Sequence, residues 1–179
     1  MTKMIFSGFG GQGILTLGEV VATIGMKQNR QVTWMPSYGA EMRGGTANCA
    51  VIVSDEVIGS PLVNSDIDIL CAMNKPSIDK FLSKMKPGGL VIMNSSIITE
   101  EIPAGNYRIL KIDATNVATG VGNPRVANMV MLSGFLKGTD LFTLDDISVA
   151  LEYRFANARN KDLIPLNIKA IRAGLENCK

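Results

Sequence analysis

Two stretches carry residues whose types and spacing could do chemistry. The first is Ser7-Gly8-Phe9-Gly10-Gly11-Gln12-Gly13, in which Gly8, Gly10 and Gly13 fit the pattern G-x-G-x-x-G. Glycine supplies the positive φ of a tight turn, and without a Cβ the backbone can approach a phosphate. If a helix starts after Gly13, its free N–H groups and positive dipole end face the same point. The chemistry on offer is anion binding. The competing reading is a glycine turn that lets a strand and a helix pack closely.

The second stretch is Pro36-Ser37-Tyr38-Gly39-Ala40-Glu41-Met42-Arg43-Gly44-Gly45-Thr46-Ala47-Asn48-Cys49. It packs an aromatic, an acid, an arginine and a Gly-Gly pair into one loop. Arg43 can pair with a phosphate or carboxylate, and Gly44 and Gly45 would let backbone come close to it. Alternatively, a buried Glu41–Arg43 loop fixes a subunit interface. Both readings stay open.

Composition removes other chemistries. The 179 residues include no histidine, so a Ser-His-Asp triad, a Cys-His pair or an imidazole metal ligand cannot be built. Three cysteines, Cys49, Cys71 and Cys178, are too scattered for a zinc or iron–sulfur run. The loop G-x-x-x-x-G-K-[ST] is absent. A dinucleotide site also expects an acid at the end of the second strand. The segment Gln28-Asn29-Arg30-Gln31-Val32-Thr33-Trp34-Met35 has none, and Arg30 precedes the strand. An independent NAD(P)-binding protein therefore remains only as an alternative.

With 18 Lys+Arg against 16 Asp+Glu, the net charge is +2, and no basic face suited to nucleic acid appears. Charged residues make up 19%, below the roughly 25% of an average protein. The deficit points to apolar surface covered by a partner. No run of about 20 apolar residues is present to span a membrane, and the N-terminus does not read as a signal peptide. Unpatterned, odd-numbered cysteines suit a cytoplasmic location.

The elements that position these loops follow an α/β rhythm. Strands are expected at Met4–Ser7, Val32–Met35, Ala47–Val53, Ile67–Met73, Leu90–Met93 and Tyr107–Ile112. Val57–Gly59 reads as a small hairpin element. Helices are expected at Ile14–Met26, Pro76–Met85, Pro124–Lys137, Thr143–Arg154 and Lys161–Asn177, with a stop at Lys86-Pro87-Gly88-Gly89. Asp113 reads as a helix cap, with a ligand-facing acid as the alternative, and Asn123-Pro124 as a cap and first turn, with a ligand-facing Asn123 as the alternative. Short apolar strands alternating with helices give a Rossmann-like three-layer α/β fold with a mostly parallel sheet and a helix-rich last third. Residues 1–179 read as one domain. In open α/β sheets ligands bind beyond the carboxyl ends of the strands, where both loops are expected.

The motifs also carry a family resemblance. GFGGQGILTLGEVVA at 8–22, YGAEMRGGTANCAVIVSD at 38–55 and IGSPLV at 58–63 resemble the gamma subunit of 2-oxoacid:ferredoxin oxidoreductases. NKPSIDKF at 74–81, PGGLVIMNSS at 87–96 and NPRVANMVMLSG at 123–134 extend the match over nearly the whole chain. GGTANC at 44–49 resembles the 2-oxoglutarate and branched-chain members, and 2-oxoglutarate is the substrate the resemblance favours, with indolepyruvate or a branched-chain 2-oxoacid as the alternative.

The resemblance implies a reaction in which a 2-oxoacid, coenzyme A and oxidised ferredoxin give acyl-CoA, CO2 and reduced ferredoxin. It places thiamine diphosphate, Mg2+ and [4Fe-4S] clusters on alpha, beta and delta partners. This chain would be noncatalytic, scaffolding alpha and helping to form the coenzyme A site. Gly8, Gly10, Gly11, Gln12 and Gly13 would cradle an anion, with Tyr38, Glu41, Arg43, Gly44 and Gly45 as the second group. Indolepyruvate is a further substrate within the same resemblance, a dimer is open to the isolated chain, and a purely structural subunit with an empty loop is the third reading.

Overall fold

The computed structural model describes residues 1–37, 46–155 and 163–178. Six strands form one sheet: β1 (Thr2–Phe9), β2 (Gln31–Ser37), β3 (Thr46–Ser54), β4 (Ile67–Ala72), β5 (Met85–Asn94) and β6 (Tyr107–Ile112). Their order is β2-β3-β1-β4-β5-β6. The pairs β1/β4, β4/β5 and β5/β6 are parallel, while β3 runs antiparallel to both β1 and β2. The α/β expectation with a mostly parallel sheet holds.

One face of the sheet is covered by six helices, beginning with α1 (Ile14–Lys27). Leu17, Val20, Val21 and Ile24 are buried on α1 and meet Met4, Phe6, Cys49, Val51 and Val53 from the strands. Phe6 sits between Cys49 and Cys71 in one cross-strand row and stacks on Phe135 at 5.6 Å. The helices α3 (Ala114–Val121), α4 (Ala127–Val130), α5 (Leu132–Gly138), α6 (Leu144–Phe155) and α7 (Leu163–Glu176) complete this layer, with α7 against α3, α4 and α5, and α6 against α1. The other face is thinner. There α2 (Lys75–Phe81) buries Ile78 and Phe81 over Ile5, Leu70, Val91 and Met93.

Three expectations change. Residues 124–137 are not one helix. A 3-10 turn at Pro124–Val126 leads into α4, and the helix breaks before α5. Ser133 Oγ takes the Val130 carbonyl at 2.7 Å, and side-chain back-bonding of this kind bends helices. Gly134 then lets α5 press on the sheet, since a Cβ there would come within 2.8 Å of Ile112 Cδ1 and overlap Ile92.

Second, Val57–Gly59 forms no strand, and Val57 is 84% exposed. Third, Lys86-Pro87-Gly88-Gly89 does not end a helix. It opens β5, where a bulge in the β4/β5 register and a positive φ at Gly88 carry the chain into the strand. The helix before it stops at Phe81 because a 3-10 turn, Leu82–Lys84, already redirects the chain.

Candidate functional site

β1 leads through α1 to the left half of the sheet, and β4 leads through α2 to the right half. The carboxyl ends of β1 and β4 therefore flank the point where the strand order reverses. A crevice forms there because neighbouring connections depart in opposite directions. It encloses about 270 Å³. Gly11, Gln12, Thr115 and Arg125 provide its polar lining, and Met73 and Ile97 its apolar side.

The glycine loop is built from short local bonds. Gln12 folds back so that its Oε1 accepts the Phe9 N–H at 2.6 Å, while its own N–H donates to the Phe9 carbonyl at 3.2 Å. Gly8 is buried, and a Cβ on it would come within 2.6 Å of that Gln12 oxygen. Gly11 (φ 91°) and Gly13 (φ 71°) both occupy the left-handed region. Gly10 and Gly11 are exposed at the tip. Among the described residues, no hydrogen bond uses the N–H of Gly10, Gly11 or Gly13. α1 starts with Gly13 as N-cap, with no side-chain cap and no acid in its first turn. Its N-terminal donors and dipole stay uncompensated, as an anion seat requires.

A remote residue fixes this loop. Asn128, 6% exposed on α4, donates from Nδ2 to the Gly13 carbonyl at 3.1 Å. The contact is close enough that a Cβ on Gly13 would overlap the Asn128 amide nitrogen and lie 3.0 Å from its Cγ. This hold on Gly13 arises from tertiary packing between positions 115 residues apart.

The rim near α3 corrects another expectation. Asp113 makes no side-chain cap to its own helix. Ser96, from the loop after β5, does so instead, its Oγ accepting the N–H groups of Thr115 (3.0 Å) and Asn116 (3.3 Å). Asp113 Oδ1 takes the Ser96 hydroxyl proton at 2.5 Å and the Asn116 amide at 2.9 Å, which orients the cap. Asn94 completes the network through Thr115 Oγ1 at 3.0 Å and the Ser96 N–H at 3.2 Å. Asn123 does cap the next turn, accepting the Arg125 N–H at 3.0 Å.

Of the second predicted group, Tyr38, Glu41, Arg43, Gly44 and Gly45 lie outside the described residues. Their flanks are placed: Thr46 pairs with Phe9, and Ser37 with Asn48, at the carboxyl end of β1. The route there differs from a second parallel strand beside β1, because β3 intervenes and runs the other way. That topology also removes the strand end on which a dinucleotide site would carry its ribose-binding acid. Arg30 pairs with Asp55 at 2.8 Å at the opposite end of β2, remote from the loop.

Two larger hollows of about 620 Å³ lie elsewhere. The one at the amino edge has its cations engaged, Arg30 with Asp55, Lys86 with Asp68 at 3.1 Å and Arg108 with the Gly138 carbonyl at 3.1 Å. The cysteines are buried and apart. Burial pushes the Cys49 thiol from 9.0 up to about 12, against smaller opposing bonds from Trp34 and Gly18. It raises Cys71 as well, and Cys178 against a smaller lowering by Lys137. Such thiols do not fit cluster ligation, and among the described residues no group of three His, Cys, Asp or Glu side chains could hold a metal ion.

The family model for pyruvate ferredoxin/flavodoxin oxidoreductase matches residues 3–177. The chain belongs to this family. A ketoisovalerate oxidoreductase subunit VorA from Methanothermobacter thermautotrophicus is 36% identical over 174 residues, covering 97% of this chain and 36% of the relative. The chain thus spans about a third of the length of that relative. The crystal structure of a keto/oxoacid ferredoxin oxidoreductase gamma subunit from Geobacter sulfurreducens superposes with TM-score 0.81 at 29% identity, covering 99% of this chain and 98% of that one. A 2-oxoglutarate:ferredoxin oxidoreductase from Magnetococcus marinus, solved with 2-oxoglutarate, coenzyme A and succinyl-CoA bound, shares the fold. Its TM-score is 0.85 at 21% identity, over 97% of this chain and 30% of that chain. Among the described residues of this family member, no helix is long and apolar enough to cross a membrane.

Proposed function

We propose that this chain is the gamma subunit of a 2-oxoacid:ferredoxin oxidoreductase and that it contributes binding rather than catalysis. The observation that carries this reading is the glycine loop: Gly11 and Gln12 line the crevice where the strand order reverses, and the α1 that follows them has no side-chain cap. Coenzyme A carries phosphates suited to that seat, and the Magnetococcus neighbour was solved with coenzyme A bound. Thiamine diphosphate, Mg2+ and [4Fe-4S] belong, in this proposal, to alpha, beta and delta partners. When bound there they supply the decarboxylation and electron-transfer chemistry.

This chain's own residues hold and orient the acceptor. Gly8 and Gln12 keep the loop folded, Asn128 fixes Gly13, and Gly10 and Gly11 present their N–H groups. Tyr38, Glu41, Arg43, Gly44 and Gly45 are proposed as a second group at the same edge, on the strength of their placed flanks. Exposed Val57, Leu62 and Tyr153 offer apolar surface for partner chains. For the substrate we propose a 2-oxoacid, with 2-oxoglutarate and 2-oxoisovalerate as the pair to compare; VorA supports the second and the Magnetococcus enzyme the first. The NAD(P) alternative loses support because the strand beside β1 is antiparallel.

Purification of the tagged chain under native conditions tests the reading. Thiamine diphosphate-dependent partners should accompany it, and the complex should reduce ferredoxin with one of a panel of 2-oxoacids, indolepyruvate included. A chain that purifies alone and binds NADH tightly would overturn it.

A further inference from the structure

The crevice has one charged side chain in its lining, Arg125, which lies in the NPRVANMVMLSG stretch and belongs to neither of the two candidate binding groups. We infer that Arg125 is the residue that grips the anionic portion of the ligand, with Gln12 Nε2 and the Gly11 N–H as its companions. This rests on the coenzyme-site reading above and names the group that recognises the phosphate.

Every polar element points the same way. Arg125 makes no ion pair among the described residues, whereas Arg30, Lys75, Lys86 and Arg154 do. Its backbone is already anchored, with the N–H donated to Asn123 Oδ1 at 3.0 Å after the fixed φ of Pro124. A fixed backbone at Arg125 removes main-chain ordering from the cost of binding. Gln12 spends its oxygen on the Phe9 N–H, which leaves Nε2 as a donor at the crevice. No acid lines the crevice, and the acid of the neighbouring network, Asp113, is engaged by Ser96 and Asn116. A cavity furnished with donors and one guanidinium selects an anion.

Size narrows the class. At about 270 Å³ the crevice falls just below the roughly 300–1,000 Å³ of whole small-molecule sites. It suits a phosphate or diphosphate group, with the remainder of the ligand lying along the sheet edge outside. The planar guanidinium matches two phosphate oxygens at once, which an ammonium cannot do.

Binding of inorganic pyrophosphate and, separately, of coenzyme A to the full chain tests the inference by titration calorimetry. Arg125→Gln should weaken pyrophosphate by about tenfold or more, with Arg125→Lys in between because it keeps charge but loses the fork. The unliganded melting temperature of both variants should stay within about 2 °C of the parent, since exposed substitutions seldom change stability. Equal pyrophosphate affinity in Arg125→Gln, or no pyrophosphate binding by the parent chain, would overturn it. If pyrophosphate binds through Arg125 and coenzyme A does not bind, the anion grip stands and the coenzyme reading falls. If coenzyme A binds and Arg125→Gln alters neither affinity, the coenzyme reading stands and the role of Arg125 falls.

Discussion

Gly13→Ala is the substitution whose cost can be worked from the structure most fully. Alanine at φ 71° pays for a left-handed backbone, about 1–2 kcal/mol. Its Cβ would also occupy the place of the Asn128 amide nitrogen. Asn128 must then move and release the Gly13 carbonyl, a loss of about 1 kcal/mol for the bond and about 1–3 kcal/mol for an amide left buried without a partner. Reduced freedom of the unfolded chain returns about 0.4–1 kcal/mol. The net cost is about 2–5 kcal/mol, or a melting temperature lower by roughly 5–15 °C for a chain of this size.

Gly11→Ala is the matched control. Gly11 has φ 91° but nothing within 4 Å of a Cβ, so only the backbone term applies, about 1 kcal/mol net. Scanning calorimetry of both variants, with Asn128→Ala and the Gly13→Ala/Asn128→Ala pair, gives a double-mutant cycle. The pair should cost less than the sum of the singles by about 1 kcal/mol or more. Equal melting of Gly13→Ala and Gly11→Ala, or strict additivity in the cycle, would refute the Asn128–Gly13 contact as the cause.

Three further outcomes follow from the packing. Gly18→Ala should destabilise despite a better helix propensity, because a Cβ there overlaps Cys49 Sγ, and Cys49→Ala should recover part of the loss in chemical denaturation. Ser96→Ala removes the cap of α3 and should cost about 0.5–2 kcal/mol by the same assay, whereas a similar loss from Asp113→Asn would be smaller because an amide can still accept the Ser96 proton. Burial favours the neutral thiols of Cys49 and Cys71 in the fold, so the unfolded chain releases their protons first as the pH passes 9; stability should be level in this respect below pH 9 and fall as the pH rises toward 12, a decline that Cys49→Ala would reduce in urea titrations across that range.

The parts of the site legible in the sequence were those that depend on local backbone. The positive φ values at Gly11 and Gly13 and the strand–loop–helix order around them are written in the glycine spacing itself. The flanks of the second loop reach the same edge by a different route from a neighbouring parallel strand: Thr46 on β3 pairs with Phe9, and Ser37 pairs with Asn48 across β3. What the sequence hid were contacts made by distant segments. Ser96 caps a helix that begins 18 residues later, and its local context shows only a polar loop. Asn128 carries no sequence signal because its partner, a main-chain carbonyl, leaves no trace in composition. The break between α4 and α5 was hidden for a related reason: the apolar spacing of Met129, Leu132 and Phe135 continues through it, while Ser133 and Gly134 turn the axis. The antiparallel β3 was likewise invisible to strand patterning, which gives a strand's existence but not its direction.

The central claim is that the glycine loop of this chain forms part of a coenzyme A site. The most direct measurement is the apparent KM for coenzyme A of the assembled complex carrying Gly11→Ala, set beside the KM for its 2-oxoacid. A methyl group at the exposed tip keeps the ligand from the Gly11 backbone, so the account predicts a coenzyme A KM raised about tenfold, with the 2-oxoacid KM and assembly unchanged. An unaltered coenzyme A KM in an intact complex would contradict it.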